Sequence, residues 1–150
     1  MRRAIALSRR NIDRGKGGPF GAVIVLNGEI IGEGTNRVTS TNDPTAHAEV
    51  SAIRAACRRR GRFELRGATI YTSCEPCPMC LAAIYWARIG RVVFANTQRD
   101  AAAIHFDDAF LYKELRKPLA SRRLPMKPLL REEALAVFRE WKRKPDKVRY

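Results

Sequence analysis

The stretch "ATIYTSCEPCPMCLAAIYWARIGRVVFAN", residues 68 to 96, decides how the chain is read. "ATIYTS" has the β-branched and aromatic character of a strand and runs directly into three cysteines. Beyond Pro78, "MCLAAIYWARIG" suits a largely buried helix closed by Gly90, and "RVVFAN" suits a short inner strand. Upstream, "FGAVIVL" and "EIIGEGT" flank Asn27-Gly28, the dipeptide that accepts the two positive φ angles of a tight hairpin turn. "AIALSRRNIDRGKGG" is predicted as a helix, with Ile5 and Ile12 at helical spacing and a glycine-rich stop. A second helix follows "NDP" through Val50, Ile53 and Arg54 and ends at Gly61. Strands alternating with helices imply a sheet covered by helices on both faces. Downstream, "DDAFLYKELR" is a short helix, "KPLASRRLPMKP" a proline-punctuated connection and "REEALAVFREWKRK" an amphipathic helix before a charged tail.

A chain of 150 residues fits one domain and can bury roughly 70% of its unfolded surface, enough for a cleft with a dry floor. Lys and Arg number 29 against 15 Asp and Glu, for a net charge of +14. Such a field favours polyanions, but scattered cations also serve solubility alone. Nucleic acid is compatible with this charge and is not the expected partner. No apolar run approaches the roughly 20 residues of a membrane span, and the arginines of "MRRAIALSRRN" break any signal peptide. A cytoplasmic protein is expected, without membrane association. Of the cysteines, Cys57 stands apart, whereas Cys74, Cys77 and Cys80 crowd into "SCEPCPMC", which points to metal or redox chemistry.

Cys77 and Cys80, three apart where a strand gives way to a helix, present both thiols on one side of the first turn. The positive end of the helix favours their thiolates. Alone, this pair reads equally as a redox dithiol or a zinc knuckle. His47, in "TAHAEV" (residues 45 to 50), tips the balance. Asp43, Thr45 and Glu49 have a ready explanation as helix-start residues, and the histidine does not. Two thiolates and one imidazole are one ligand short of a closed tetrahedron, so a fourth place stays open for water. Glu49 is then placed to reach that water, although residues two apart on a helix do not share a face. Cys74 is read as a buried thiol, with a closed Cys₃His site as the alternative. Glu75 is read as an acceptor of backbone N–H bonds.

"HAE" together with "PCPMC" resembles the zinc deaminases of the cytidine deaminase superfamily. The resemblance implies a three-layer α/β/α fold with a mixed five-stranded sheet and one Zn²⁺ per subunit held by His47, Cys77 and Cys80. It makes Glu49 the proton shuttle. "GGPFGAVIV", "TNDPTAHAEV", "YTSCEPCPMCLAAIYWAR", "FDDAFLYKE" and the terminal tyrosine look more closely like the bacterial guanine deaminases. Guanine presents two adjacent donors, N1–H and the 2-amino group, which one carboxylate can accept together. Asp108 fits that role and is the second catalytic candidate, while Asp107 is read as a helix cap. Asn36 is expected to hydrogen-bond the base and Ala48 to lie beside it. Phe20 and Trp86 are expected as apolar walls, with ordinary core as their alternative.

The same resemblance implies a single domain over residues 1 to 150, acting as a homodimer on a small nucleobase. Its helix and tail, residues 131 to 150, would be exchanged between subunits so that Tyr150 closes the partner's site. Guanosine, ammeline and a tRNA adenosine are the rival substrates. A basic zinc-stabilised nucleic-acid-binding module is the reading outside catalysis, and it makes the pairing of His47 with Glu49 accidental.

Overall fold

The hairpin and the strand–helix–strand unit meet in one sheet. A computed structural model of the chain describes residues 1–106 and 108–149. Helix α1 (Arg2–Asp13) leads to strands β1 (Gly21–Leu26) and β2 (Glu29–Thr35), a short α2 (Val38–Thr41) and the long α3 (Ala48–Arg60). β3 (Thr69–Cys74), α4 (Pro78–Trp86) and β4 (Arg91–Asn96) follow, then α5 (Gln98–Ala103), α6 (Asp108–Arg116), a 3₁₀ turn (Leu119–Ser121) and α7 (Arg131–Arg143). The sheet order is β2-β1-β3-β4. β1 runs antiparallel to both β2 and β3, and β3 runs parallel to β4. Asn27 and Gly28 both have positive φ, 51° and 82°, as the hairpin turn requires.

The mixed sheet has four strands among the described residues, where five were expected. After β4 the chain turns at once into α5. Thr97 and Asp100 start that helix with a reciprocal capping box, which satisfies free N–H groups that a continuing strand would have paired elsewhere. Farther on, Pro125 and Pro128 interrupt the remaining extended stretch and cannot donate to a ladder. β4 is consequently an edge strand, not an inner one, and Phe94 is 45% exposed.

Strand alternation divides the core into two layers. Ala22, Ile24, Ile31, Ile70, Ile84 and Leu65 pack with Ala48, Ala52 and Ala56 of α3 on one face of the sheet. Val23 packs with Ala4 and Leu7 of α1 on the other. The inward face of α1 is therefore Ala4, Leu7 and Asn11, and Ile5 and Ile12 are about half exposed. Small side chains are preferred beneath this helix, since a Cβ on Gly21 would strike Leu7 Cβ and Ser8 N at 2.8 Å. α4 also departs from expectation. It buries only Cys80 and Ile84 and ends at Trp86, because Arg88 takes a left-handed φ of 56° before Gly90 is reached. Tyr85 and Trp86 are exposed.

Among the described glycines, the shortest approach to a neighbouring element lies between β2 and α3, at Gly34. A Cβ on Gly32 would lie 2.6 Å from Ala52 O and 2.8 Å from Ala56 Cβ, and one on Gly34 would overlap Ala48 O and Ala52 N. Glycine on the strand and alanine on the helix bring the two backbones together, which sets where α3 begins.

The chain divides into two compact units, Met1–Tyr112 and Lys113–Tyr150. Within the second, the Arg122 guanidinium donates to the carbonyls of Lys117 and Leu115 at 3.2 and 3.3 Å. The Glu114 carboxylate accepts from the Arg123 N–H at 2.9 Å and pairs with Lys117. On α7, Val137, Phe138 and Trp141 are exposed. Asp107 and Tyr150, expected as a cap and a site-closing residue, lie outside the described residues. No helix among the described residues is long and apolar enough to cross a membrane.

Gly34→Ala is expected to destabilise the fold by about 1–3 kcal/mol through overpacking, read as a fall in thermal midpoint. Gly61→Ala, at a left-handed helix end with open space around it, should cost only about 1 kcal/mol. An unchanged midpoint for Gly34→Ala would show that α3 does not seat this closely on β2.

Candidate active site

Two helix N-termini converge beside the C-terminal end of β3. His47 is the N-cap of α3, with extended backbone angles of φ −69° and ψ 160°. Cys77 is the N-cap of α4, at φ −65° and ψ 167°, and Pro78 opens the helix behind it. Neither residue caps its own helix with a side-chain hydrogen bond, so both side chains are available to each other. Because His47 lies outside the helical wheel, the i, i+2 spacing to Glu49 is no obstacle. Glu49 is in the first turn of α3, and its carboxylate reaches the same place.

The donor atoms of His47, Cys77 and Cys80 all lie within 4.8 Å of one another. His47 Nδ1 is 3.6 Å from Cys77 Sγ and 3.5 Å from Cys80 Sγ. Glu49 accepts from Cys80 Sγ at 3.4 Å through Oε2 and from Thr72 Oγ1 at 3.1 Å through Oε1. Cys77, Cys80, Glu49 and Thr72 are all buried. Two sulfurs and one imidazole nitrogen, gathered at a point and shielded from water, form a donor set suited to zinc.

The electrostatics favour that reading. The hydrogen bond from Cys80 draws the Cys77 thiol down to about 4, with His47 assisting and burial opposing. Its counterpart Cys80 is pushed up, first by the same bond and then by burial and the Glu49 charge. His47 is raised, chiefly by its hydrogen bond with Cys77. Burial raises the Glu49 carboxyl against the hydrogen bonds from Cys80 and Thr72.

A cavity of about 250 Å³ opens beside this cluster. Of the predicted site residues it brings together Phe20, Asn36, His47, Ala48, Glu49, Cys77 and Asp108. Asn36 is held in place: its Oδ1 accepts from the N–H groups of Gly18 and Val38, both at 3.3 Å. Its carbonyl accepts from Asn11 Nδ2 at 2.8 Å. Trp86 is not among the lining residues. Its place at the exposed end of α4 puts it under the Arg88 guanidinium, 5.9 Å from the ring centroid. The second aromatic wall is instead Phe106, whose ring meets Phe20 edge to face at 4.9 Å and 88°.

Thr72 is the other residue that spacing alone missed. Once β3 is placed, period-two alternation puts it on the same face as Ile70 and Cys74, toward α3. Cys74 stays outside the donor cluster, its thiol on the Thr97 carbonyl at 3.6 Å, and burial raises it to about 11. Glu75 accepts from the backbone and side-chain N–H groups of Gln98, each at 3.1 Å, as its structural reading implied. Tyr112 donates to Pro76 O at 2.9 Å and ties α6 to the cysteine turn. Asp43 forms its own turn, accepting from Thr45 N at 2.8 Å and Thr45 Oγ1 at 2.6 Å. Phe20 and Cys74 also line a second cavity of about 300 Å³, together with Ile5, Ile12 and Ile104.

The geometry agrees with the comparisons to known proteins. The guanine deaminase of Bacillus subtilis is 51% identical over 150 residues, covering 100% of this chain and 96% of that protein. Its crystal structure superposes with a TM-score of 0.96, covering 99% of this chain and 95% of that one. A tRNA-specific adenosine deaminase of Aquifex aeolicus is 34% identical over 141 residues, 94% of this chain and 90% of that protein. Residues 1–96 match the family model described as the cytidine and deoxycytidylate deaminase zinc-binding region. The chain thus belongs to the cytidine and deoxycytidylate deaminase family.

Proposed function

We propose that the chain hydrolyses guanine to xanthine and ammonia, with His47, Cys77 and Cys80 holding one zinc ion per subunit. The observation that carries this reading is the cavity that Glu49, Asp108 and the His47 and Cys77 members of the donor cluster line together with Phe20 and Phe106. The full-length similarity to a guanine deaminase supports the choice of base. A zinc ion so held acts as a Lewis acid that makes water nucleophilic at neutral pH.

The chain's own residues account for the rest. Glu49 takes a proton from the attacking water and returns protons to the ring and to the departing amine as water adds at C2. Thr72 holds one oxygen of that carboxylate, so that the other is aimed at the centre. Asp108 accepts the N1–H and 2-amino edge of the base, and Asn36 presents its amide hydrogens to an acceptor on the ring. Phe20 and Phe106, packed edge to face, give the flat ring one apolar wall and exclude competing water. Ala48, without a side chain beyond Cβ, lets the base approach the start of α3.

The functional unit in this reading is a cytoplasmic homodimer, in which all four cysteines stay reduced and residues 131 to 150 pass between subunits. The exposed Val137, Phe138 and Trp141 of α7 support that exchange, since a helix with an apolar stripe requires a partner surface.

Ammonia release should be measured from guanine, guanosine, ammeline and a tRNA anticodon stem, with and without a zinc chelator. Guanine is expected to be turned over fastest and only without chelator; preference for another substrate would reassign the activity. Glu49→Gln should keep zinc and fold while losing about 10³-fold or more in kcat, and near-normal turnover would remove Glu49 from proton transfer. Asp108→Ala should lower kcat/KM for guanine by about 10²-fold or more, and unaltered kinetics would count against its role at the amino edge. Deleting residues 145 to 150 should damage turnover more than the thermal midpoint, whereas equal loss would make the tail purely structural.

A further inference from the structure

The proposed reaction leaves the charge of +14 without a role, and six of the 29 cations line two neighbouring cavities. A cavity of about 460 Å³ lies against the β2 edge and α3 and is lined by Arg37, Arg54 and Arg58. A second, of about 280 Å³, is lined by Arg10, Arg14, Lys16 and Arg37. The two share Leu7, Thr35 and Arg37 as walls, so they form one continuous concave strip.

Two carboxylates line the strip, and each is already matched. Glu33 pairs with Arg3 at 2.6 Å and Asp43 with Arg54 at 3.4 Å. Among the described residues no ion pair engages Arg10, Arg14, Lys16, Arg37 or Arg58, although the charge of Arg10 also acts on Glu33. None of the strip's residues lines the catalytic cavity. Leu7 and small alanines are its only apolar lining, so it offers no anchor for a lipid surface. It also has no aromatic ring on which an unpaired base could stack.

We infer that this strip binds the phosphate backbone of double-stranded nucleic acid, without reading its sequence. Guanidinium groups match phosphate oxygens in pairs, and a concave row of them follows a backbone where scattered surface cations do not. The unmatched groups and Arg54 provide about six phosphate contacts, for which the logarithm of affinity should fall with the logarithm of salt at a slope of about −5. The inference is independent of the base the enzyme deaminates.

The test is fluorescence anisotropy of the zinc-loaded full chain with labelled RNA and DNA duplexes of about 20 base pairs, between about 50 and 200 mM salt. Wild type should lose about 10³-fold in affinity across that range. The triple variant Arg14→Ala, Arg37→Ala, Arg58→Ala should flatten the slope by about 2.7 and leave base turnover and thermal midpoint unchanged. A control with the same charge loss on α7, Arg139→Ala, Lys142→Ala, Arg143→Ala, should flatten it by less than about 1. Equal effects of the two triples would show a diffuse field and overturn the strip. Absence of salt-dependent duplex binding, or tighter binding of single strands or anionic vesicles, would overturn it as well.

Discussion

The contact on which the molecule depends is the one between the backbones of β2 and α3. Gly32 and Gly34 remove side chains from the strand, Ala48, Ala52 and Ala56 keep them short on the helix, and the two backbones close to the limit of contact. A pair this tight has little freedom to slide, since interiors are packed like crystals and respond to a single methyl group. The start of α3 inherits that rigidity. His47 and Glu49 are therefore delivered to β3 and the cysteine turn by the packing of small residues in the first turns of the same helix.

The second organising feature is electrostatic. Two helices begin at the same point, and each places its positive end where negative charge must gather. Cys77 answers one and Glu49 stands in the first turn of the other. Burial resists charge on Glu49, while the hydrogen bonds from Cys80 and His47 overcome burial for Cys77. The same small volume thus favours the charged form of one group and disfavours that of the other.

Much of this was legible in the chain itself because the signals are local. Asn27-Gly28 dictates its turn through φ angles, and the Cys77 and Cys80 spacing dictates its geometry through the pitch of one helical turn. The pairing of His47 with those cysteines, thirty residues apart, was legible only through coordination chemistry. What escaped depended on tertiary placement. Ile5 and Ile12 have the right period for a buried face, yet glycine and valine of β1 select Ala4 and Leu7. Trp86 was a plausible wall until α4 ended in solvent, and Phe106 was invisible because no periodicity marks a loop residue. The fifth strand was expected from resemblance and has no counterpart among the described segments, where a helix cap at Thr97 diverts the chain.

Phe20 belongs to two cavities at once, one holding the catalytic groups and one behind it lined by Ile5, Ile12 and Ile104. The Phe20 ring, braced edge to face by Phe106, stands between them together with Cys74. The depth of the pocket is therefore not a property of the scaffold or of the metal donors. It is set by a thin partition of Phe20 and Cys74, side chains that are not among the metal-donor atoms.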